Sequence, residues 1–154
     1  MNHSWKVGFN FGVTSGIITT LGLMVGLDSA TSSKLVVIGG ILTIAIADAC
    51  SDALGIHIAE EGEQIHTRKE VWQSTFSTFF FKFVFASIFI LPFLFLSLGF
   101  AVALDIALGF VLLGIFSYKL HSRRRGKVVA EHLIMAGFVI VVSYFVGKFI
   151  GMFI

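Results

Sequence analysis

Two aspartates, Asp48 and Asp52, lie four residues apart in the segment 46–63, IADACSDALGIHIAEEGE, whose first half is strongly apolar. Side chains at that spacing share one face of a helix. An acidic residue at the centre of a bilayer costs roughly 2.5 to 3.5 kcal/mol, so a pair of them indicates a function. Because neighbouring carboxylates bind cations, we interpret the pair as a candidate cation site.

Small and polar residues accompany the two aspartates on the predicted helix. Ser51, Gly55 and Ala59 fall on the same stripe and leave space for water, an ion or another helix. The alternative is that Lys82, which lies at a depth comparable to Asp52 in the third apolar segment, neutralises it. That pairing would leave Asp48 without an obvious cation, so the sequence keeps both interpretations open.

The second half of the segment and the residues after it are rich in acids and imidazoles, namely His57, Glu60, Glu61, Glu63, His66 and Glu70. Carboxylate and imidazole together suit iron, manganese or zinc. If the segment stays helical, Glu63, His66 and Glu70 share a face and form a metal-capturing mouth. The alternative is a solvated linker whose acids pair with Arg68 and Lys69.

The composition identifies the elements that must position these residues. The chain has 154 residues, 56% of them hydrophobic and 13% charged, which is too little polar surface for a soluble globule. A spanning helix needs about 20 apolar residues. Five segments qualify, at Val7 to Leu27, Leu35 to Ala59, Ser74 to Leu96, Leu98 to Tyr118 and Val129 to Ile154. We predict one all-α, five-helix transmembrane domain over residues 1–154, with linkers at 57–72 and 119–128.

The distribution of basic residues predicts the orientation. Eight of the eleven lysines and arginines would lie on one side of a five-span bundle, namely Lys6, Arg68, Lys69, Lys119, Arg123, Arg124, Arg125 and Lys127. The positive-inside rule therefore places the amino terminus and both linkers in the cytoplasm, with the carboxyl terminus on the opposite side. We interpret the run HSRRRGK, His121 to Lys127, as an anchor near anionic headgroups and not as a nucleic-acid site.

Small residues predict close helix packing at two places. Gly8, Gly12 and Gly16 follow each other at intervals of four in the first span, and Gly147 and Gly151 do so in the last. Such spacing lets another backbone approach closely. For the first span, a homodimer seam and packing within the chain are both open.

Three single residues need an interpretation of their own. Pro92 is expected to kink or end the third span. Asp105, near the outer end of the fourth span, either caps a helix end or serves an exit route, and we favour the cap. Cys50 is the only cysteine, which excludes an internal disulfide and a cysteine-cluster metal site.

The stretch Ser15 to Ala30, SGIITTLGLMVGLDSA, resembles the first helix of the vacuolar iron transporter family, and Leu112 to Gly147 is similar to the closing helix pair of that family. The resemblance implies five spans and a homodimer. It also implies export of ferrous iron or manganese from the cytoplasm in exchange for protons, with an acidic metal-binding extension after the second helix.

The chain departs from the family pattern at three places. Ser15 stands where the family has an acid associated with proton coupling, and Thr43 and Ser51 stand where it has a Glu and a Met associated with metal passage. The extension is reduced to the short segment 60–70. Asp48 and Asp52 are expected to supply the missing charge, and loss of the Met favours a harder ion.

The resulting hypothesis is a homodimeric secondary transporter, with helices 1 and 2 near its axis, that exports a divalent metal by proton antiport. The acidic segment would gather the ion, and Asp52 and then Asp48 would pass it on, along a path that includes Ser15, Thr43 and Ser51. The alternative is a non-transporting membrane metal sensor or assembly module. The sequence carries no motif for an enzyme or for an organic cofactor. Lipid, metal and proton are the expected partners.

Overall fold

The computed structural model describes residues 3–120 and 124–153, which form six helices and no strand. The helices are α1 (His3–Thr31), α2 (Lys34–Glu63), α3 (Arg68–Ile88), α4 (Leu91–Phe95), α5 (Leu98–Leu120) and α6 (Arg125–Gly151). Five helical segments are long and apolar enough to cross a membrane, with α3 and α4 together forming the third. The predicted all-α class with five potential spans is confirmed.

Helix α1 lies in the middle of the bundle and packs against α2, α3, α5 and α6. Its side chains Val13, Ile17, Leu21 and Met24 are completely buried and form much of the apolar core. A helix surrounded on four sides has little free surface. The expectation that helix 1 lies near a dimer axis is therefore not supported by its position, whereas α2 has a long exposed face.

The three evenly spaced glycines of α1 pack against α3. A Cβ atom at Gly12 would lie 2.7 Å from the Thr78 carbonyl oxygen, and one at Gly16 would lie 3.1 Å from the Lys82 carbonyl oxygen. Side chains at these positions would push the helices apart, which is why glycine stands there. The glycines thus serve packing within the chain, and the alternative of a homodimer seam at these residues is wrong.

The carboxyl-terminal half of α1 packs closely against α6. A Cβ atom at Gly151 would lie 2.8 Å from the Ala30 carbonyl oxygen, and Gly147 packs equally closely on Gly26. The predicted close-packing role of the glycine pair in the last helix is confirmed. Helix α1 thus meets α3 along its amino-terminal half and α6 along its carboxyl-terminal half through close backbone contacts.

Helix ends explain the connections. Helix α2 continues to Glu63, and α3 begins at Arg68 with a capping box between Thr67 and Glu70. Most of the predicted linker 57–72 is therefore helical. At the far end of the third span, α3 ends at Ile88 and Pro92 stands in the first turn of α4, so the predicted break is confirmed. Residues 121–123 of the predicted basic linker lie outside the described residues.

The two ends of the bundle are distinct. The His3 ring stacks on the His66 ring at 6.3 Å, so the start of α1 lies beside the α2–α3 connection. At the other end, Lys34 Nζ donates a hydrogen bond of 2.9 Å to the Leu96 carbonyl oxygen. This arrangement agrees with α1, α2 and the third span running in alternating directions, and the side of the membrane on which each end lies stays a prediction.

Candidate functional site

Lys82 is the centre of a charged cluster between α1, α2 and α3. Its ammonium nitrogen lies 2.5 Å from Asp48 Oδ2, forms a second ion pair with Asp52 Oδ2, and donates a 2.9 Å hydrogen bond to Ser15 Oγ. Ser15 Oγ in turn donates a 2.7 Å hydrogen bond to Asp52 Oδ2. These four residues, Ser15, Asp48, Asp52 and Lys82, are called the Lys82 cluster below.

The cluster follows from local geometry on the three helices. Asp48 and Asp52 are one turn apart on α2, and the missing side chain of Gly16 on α1 lets the Lys82 stem pass within van der Waals distance. The ammonium therefore reaches a point between both carboxylates. The alternative interpretation, in which Lys82 pairs with Asp52, is confirmed, and the expectation that Asp48 would lack a cation is wrong because one ammonium serves both acids.

The cluster carries a formal charge of −1, since two carboxylates face one ammonium. The Lys82 side chain is 1% exposed, whereas those of Asp48 and Asp52 are 28% and 22% exposed. Asp48 Oδ2, although close to the ammonium, has no hydrogen bond to any described residue. The buried side of the cluster is thus neutralised by lysine, while both carboxylates stay partly exposed on the other side.

An open groove leads away from Asp48 between α1 and α2. It has a volume of about 660 Å³ and is lined by Thr19, Leu23, Leu27, Gly40, Thr43, Ile44, Ala47 and Asp48. The Thr19 and Thr43 hydroxyls each donate 2.8 Å hydrogen bonds to carbonyls of their own helices. Their oxygens therefore remain as acceptors in a mostly apolar groove. Since Leu27 and Gly40 lie toward the end of the bundle that holds Lys34, the groove extends from mid-bundle toward that end.

The other residues of the predicted transport path lie in different environments. Ser15 joins the Lys82 cluster and Thr43 lines the groove, as described above. Ser51 is exposed and takes no part in the hydrogen bonds and ion pairs of the cluster. The acids and the small residues of the predicted α2 stripe therefore lie on different faces. The acids face α1 and α3, whereas the small residues face outward.

The acids and histidines after Asp52 do not converge. Glu60 is buried and accepts a hydrogen bond from Ser74. His57 Nδ1 lies 2.9 Å from Thr75 Oγ1, and its Nε2 lies 4.0 Å from an oxygen of Glu61. Glu60 and His57 are engaged by hydroxyl groups of α3, while Glu61 stays exposed, so the predicted metal-capturing mouth is not assembled here.

The last three predicted ligands lie at the break between α2 and α3 and not on one continuous helix. Glu63 pairs with His66 at 3.2 Å, and Glu70 bonds to Thr67 in the capping box. Because α2 ends at Glu63 and α3 begins at Arg68, the expectation that Glu63, His66 and Glu70 share a helix face is wrong. Among residues 3–120 and 124–153, no three His, Cys, Asp or Glu side chains are grouped so as to hold a metal.

Asp105 has an unexpected position. It is completely buried well inside α5, which begins at Leu98, and neither carboxyl oxygen has a hydrogen bond within the described part of the chain. The helix-cap interpretation is therefore wrong. Gly109, one turn further on, faces Leu21 of α1, so Asp105 is on the face of α5 that packs toward the core.

The partners of Glu60 and His57 were not among the residues predicted from the sequence. Both partners, Ser74 and Thr75, stand in a run of small hydroxyl residues at 74–78 at the start of the third span. Hydroxyl residues in an otherwise phenylalanine-rich helix indicate a face turned toward polar groups, and this signal was available in the sequence.

No family model, curated protein or solved structure matches the chain. The five long apolar helices and the composition define it as an all-α, polytopic membrane protein. Within that class its distinguishing feature is the Lys82 cluster, in which one buried ammonium is shared by two partly exposed carboxylates.

Proposed function

We propose that this chain is a secondary transporter that moves a divalent cation out of the cytoplasm in exchange for protons, with the Lys82 cluster as its site. The observation that carries the proposal is that one buried ammonium is shared by Asp48 and Asp52, both of which remain partly exposed. Charged groups at membrane depth are costly and commonly mark ion paths. The groove that begins at Asp48 offers a path away from the cluster on one side.

The exchange follows from competition between two cations for the same carboxylates. A divalent ion between Asp48 and Asp52 would repel the Lys82 ammonium, because like charges a few ångströms apart in low dielectric strongly disfavour each other. Lys82 then releases one proton from Nζ toward the cytoplasmic side, from which the metal entered, and stays as a neutral amine. When the metal leaves toward the opposite side, the amine takes up a proton from that side and restores both ion pairs. Each divalent ion thus displaces one proton, and the formal charge of the cluster changes from −1 to zero.

The ligands of the cluster favour a hard ion. They are carboxylate and hydroxyl oxygens from Asp48, Asp52 and Ser15, with threonine oxygens nearby in the groove. Oxygen ligands suit manganese and magnesium better than soft metals. Manganese also agrees with the resemblance to iron and manganese transporters, so Mn²⁺ is the first ion to test.

The proposed transporter is a homodimer whose seam lies on α2. The exposed face of α2 carries small residues at intervals of four, namely Gly39, Thr43, Ala47, Ser51, Gly55 and Ala59. Small residues allow close helix contact in lipid, where the hydrophobic effect between helices is absent. Two copies joined here would place both acid pairs beside the seam.

The second candidate is a non-transporting membrane module. It is favoured by one observation: Lys82 is 1% exposed and already serves both acids, as in an ion pair that only holds three helices together. In that case the cluster fixes the arrangement of the bundle and exchanges no ions. Flux measurements separate the two functions.

The test uses proteoliposomes that contain a manganese-sensitive dye and, in parallel, a pH-sensitive dye. We expect Mn²⁺ flux accompanied by proton movement in the opposite direction. The double variant D48N/D52N should lose both signals, while Glu131→Gln, an exposed acid beside the other linker, should keep them. Flux that survives D48N/D52N would remove the cluster from the mechanism, and Mn²⁺ binding without flux in the unmodified protein would favour the module.

Lys82→Arg tests the proton step separately. A guanidinium keeps the positive charge but is not deprotonated in proteins. We therefore expect K82R to remain folded and to lose Mn²⁺ flux, because the metal cannot replace a permanent cation. Proton-coupled flux at the unmodified rate in K82R would refute the role of Lys82 as proton carrier.

A further inference from the structure

Two adjoining cavities between α2 and α3 form one amphipathic site. The first is apolar, has a volume of about 380 Å³ and is lined by Cys50, Ala53, Leu54, His57, Trp72, Thr75, Phe76 and Phe79. The second, of about 400 Å³, lies at the α2–α3 connection and is lined by His57, Glu61, His66, Arg68, Val71 and Trp72. His57 and Trp72 belong to both, so a single elongated molecule with an apolar part and a polar part can occupy them together.

The apolar cavity opens on the outside of the bundle. Leu54, Trp72 and Phe76 are 58%, 45% and 60% exposed, and in a five-span protein this surface meets the hydrocarbon of the membrane. Aliphatic and aromatic walls of this kind match an acyl chain. The indole of Trp72, which contacts the His57 ring at 4.7 Å, lies at the boundary between the two cavities, as tryptophans commonly lie at headgroup level.

The polar cavity contains one permanent cation and one available acid. Arg68 supplies a guanidinium, which suits a phosphate group. Glu61 is 72% exposed, and its ion-pair contact with His57 is long, at 4.0 Å. The imidazole of His57 is held from its other side by Thr75. A ligand that complements this cavity therefore carries both a phosphate and a positive group.

We propose that this cleft binds a zwitterionic phospholipid, with its phosphate at Arg68, its amine-derived cation near Glu61 and an acyl chain along Leu54 and Phe76. The proposal does not depend on cation transport, because none of these residues belongs to the Lys82 cluster. An anionic lipid such as phosphatidylglycerol would satisfy Arg68 through the same phosphate but would offer Glu61 no cation. The site therefore discriminates between phospholipids by the charge of their headgroups.

Trp72 provides the measurement. The chain has two tryptophans, so Trp5→Phe, which keeps an aromatic ring against Phe81, leaves Trp72 as the only indole. The purified full-length W5F protein in detergent is titrated with phospholipids that carry brominated acyl chains, which quench nearby tryptophan fluorescence. We expect phosphatidylethanolamine and phosphatidylcholine to reach half-maximal quenching at an about tenfold lower mole fraction than phosphatidylglycerol, the change expected from one charge-assisted interaction.

Variants assign the preference to the two charged residues. Glu61→Gln in the W5F background should bring the three headgroups to within about twofold of each other, because the attraction of Glu61 for the amine-derived cation of the zwitterionic lipids is removed. Arg68→Gln should weaken quenching by all three lipids. Glu131→Gln, the matched acid at the other linker, should leave the preference unchanged.

Cys50 gives an independent check of the apolar part of the site. It is exposed and is the only cysteine, so alkylation with a bulky maleimide modifies the cleft alone. Blocking the cleft should abolish the headgroup preference while circular dichroism still reports a helical protein. Equal quenching by the three brominated lipids in W5F, or a preference that survives both E61Q and Cys50 alkylation, would overturn the proposal in favour of ordinary annular lipid.

Discussion

Removal of the Lys82 ammonium is the most informative perturbation of this bundle. Lys82→Met keeps most of the length and volume of the buried side chain but removes the charge shared by Asp48 and Asp52. Three interactions disappear together, namely two ion pairs and the 2.9 Å hydrogen bond to Ser15 Oγ. Two carboxylates one helical turn apart are then left without a counter-charge, and their mutual repulsion is no longer offset.

The expected loss of stability can be estimated from these contacts. Breaking a buried ion pair by removing one partner typically costs about 3 to 5 kcal/mol, mainly because the remaining charge is left uncompensated. The remaining acids here are 28% and 22% exposed, so water reaches them in part. We therefore expect the lower end, about 3 kcal/mol, which is roughly a hundredfold in the unfolding equilibrium.

The assay is reversible unfolding by SDS in mixed micelles, followed by circular dichroism. Lys34→Met is the matched control, because the described partner of Lys34 is a single backbone carbonyl at an exposed position. We expect this variant to lose no more than about 1 kcal/mol of unfolding free energy. The triple variant D48N/D52N/K82M, which removes all three charges, should recover most of the stability lost in K82M. A K82M protein as stable as K34M, or a triple variant no more stable than K82M, would refute the reasoning.

Three further predictions concern residues outside the cluster. Asp105→Leu removes a buried carboxyl whose oxygens have no described partner, so we expect a gain of about 1 to 3 kcal/mol in the same unfolding assay, with Mn²⁺ flux retained; a loss of stability would indicate a polar partner. Gly12→Val places methyl groups against the α3 backbone and should cost about 1 to 3 kcal/mol, whereas Gly114→Val, at an open position of α5, should cost less than about 1 kcal/mol in the same unfolding assay. Thr67→Ala removes the cap of α3 and should cost about 1 kcal/mol, seen as faster hydrogen exchange in the first turn of α3 and not in α5.

The spans could be predicted from the sequence because membrane helices are determined by the length of apolar segments. The glycine spacing of α1 and α6 also predicted close packing, although it did not say which helix would use it. The pairing of Lys82 with Asp52 followed from counting the helical rise from one end of the membrane. These predictions depend on regular helix geometry, which varies little between proteins.

The rest of the site depended on contacts between helices that a single sequence does not specify. Asp48 shares the ammonium with Asp52 because Gly16 lets α3 approach, and neither residue alone indicates that approach. The acidic segment was misinterpreted for another reason. Charge density alone predicted a shared metal site, whereas Glu60 and His57 are engaged by hydroxyl groups one helix away.

The Lys82 backbone lies in close contact with Gly16, and this contact affects how α3 can move relative to α1. The ammonium lies between two carboxylates that are one turn, or about 5.4 Å, apart along α2. If α3 slides along the smooth glycine face of α1 by about 1.5 Å, one residue of helical rise, the ammonium moves toward one carboxylate and away from the other. The axial position of α3 therefore determines which of the two carboxylates the ammonium pairs with, and one of these carboxylates lines the groove. Helix sliding and access of water to the charges are then a single motion.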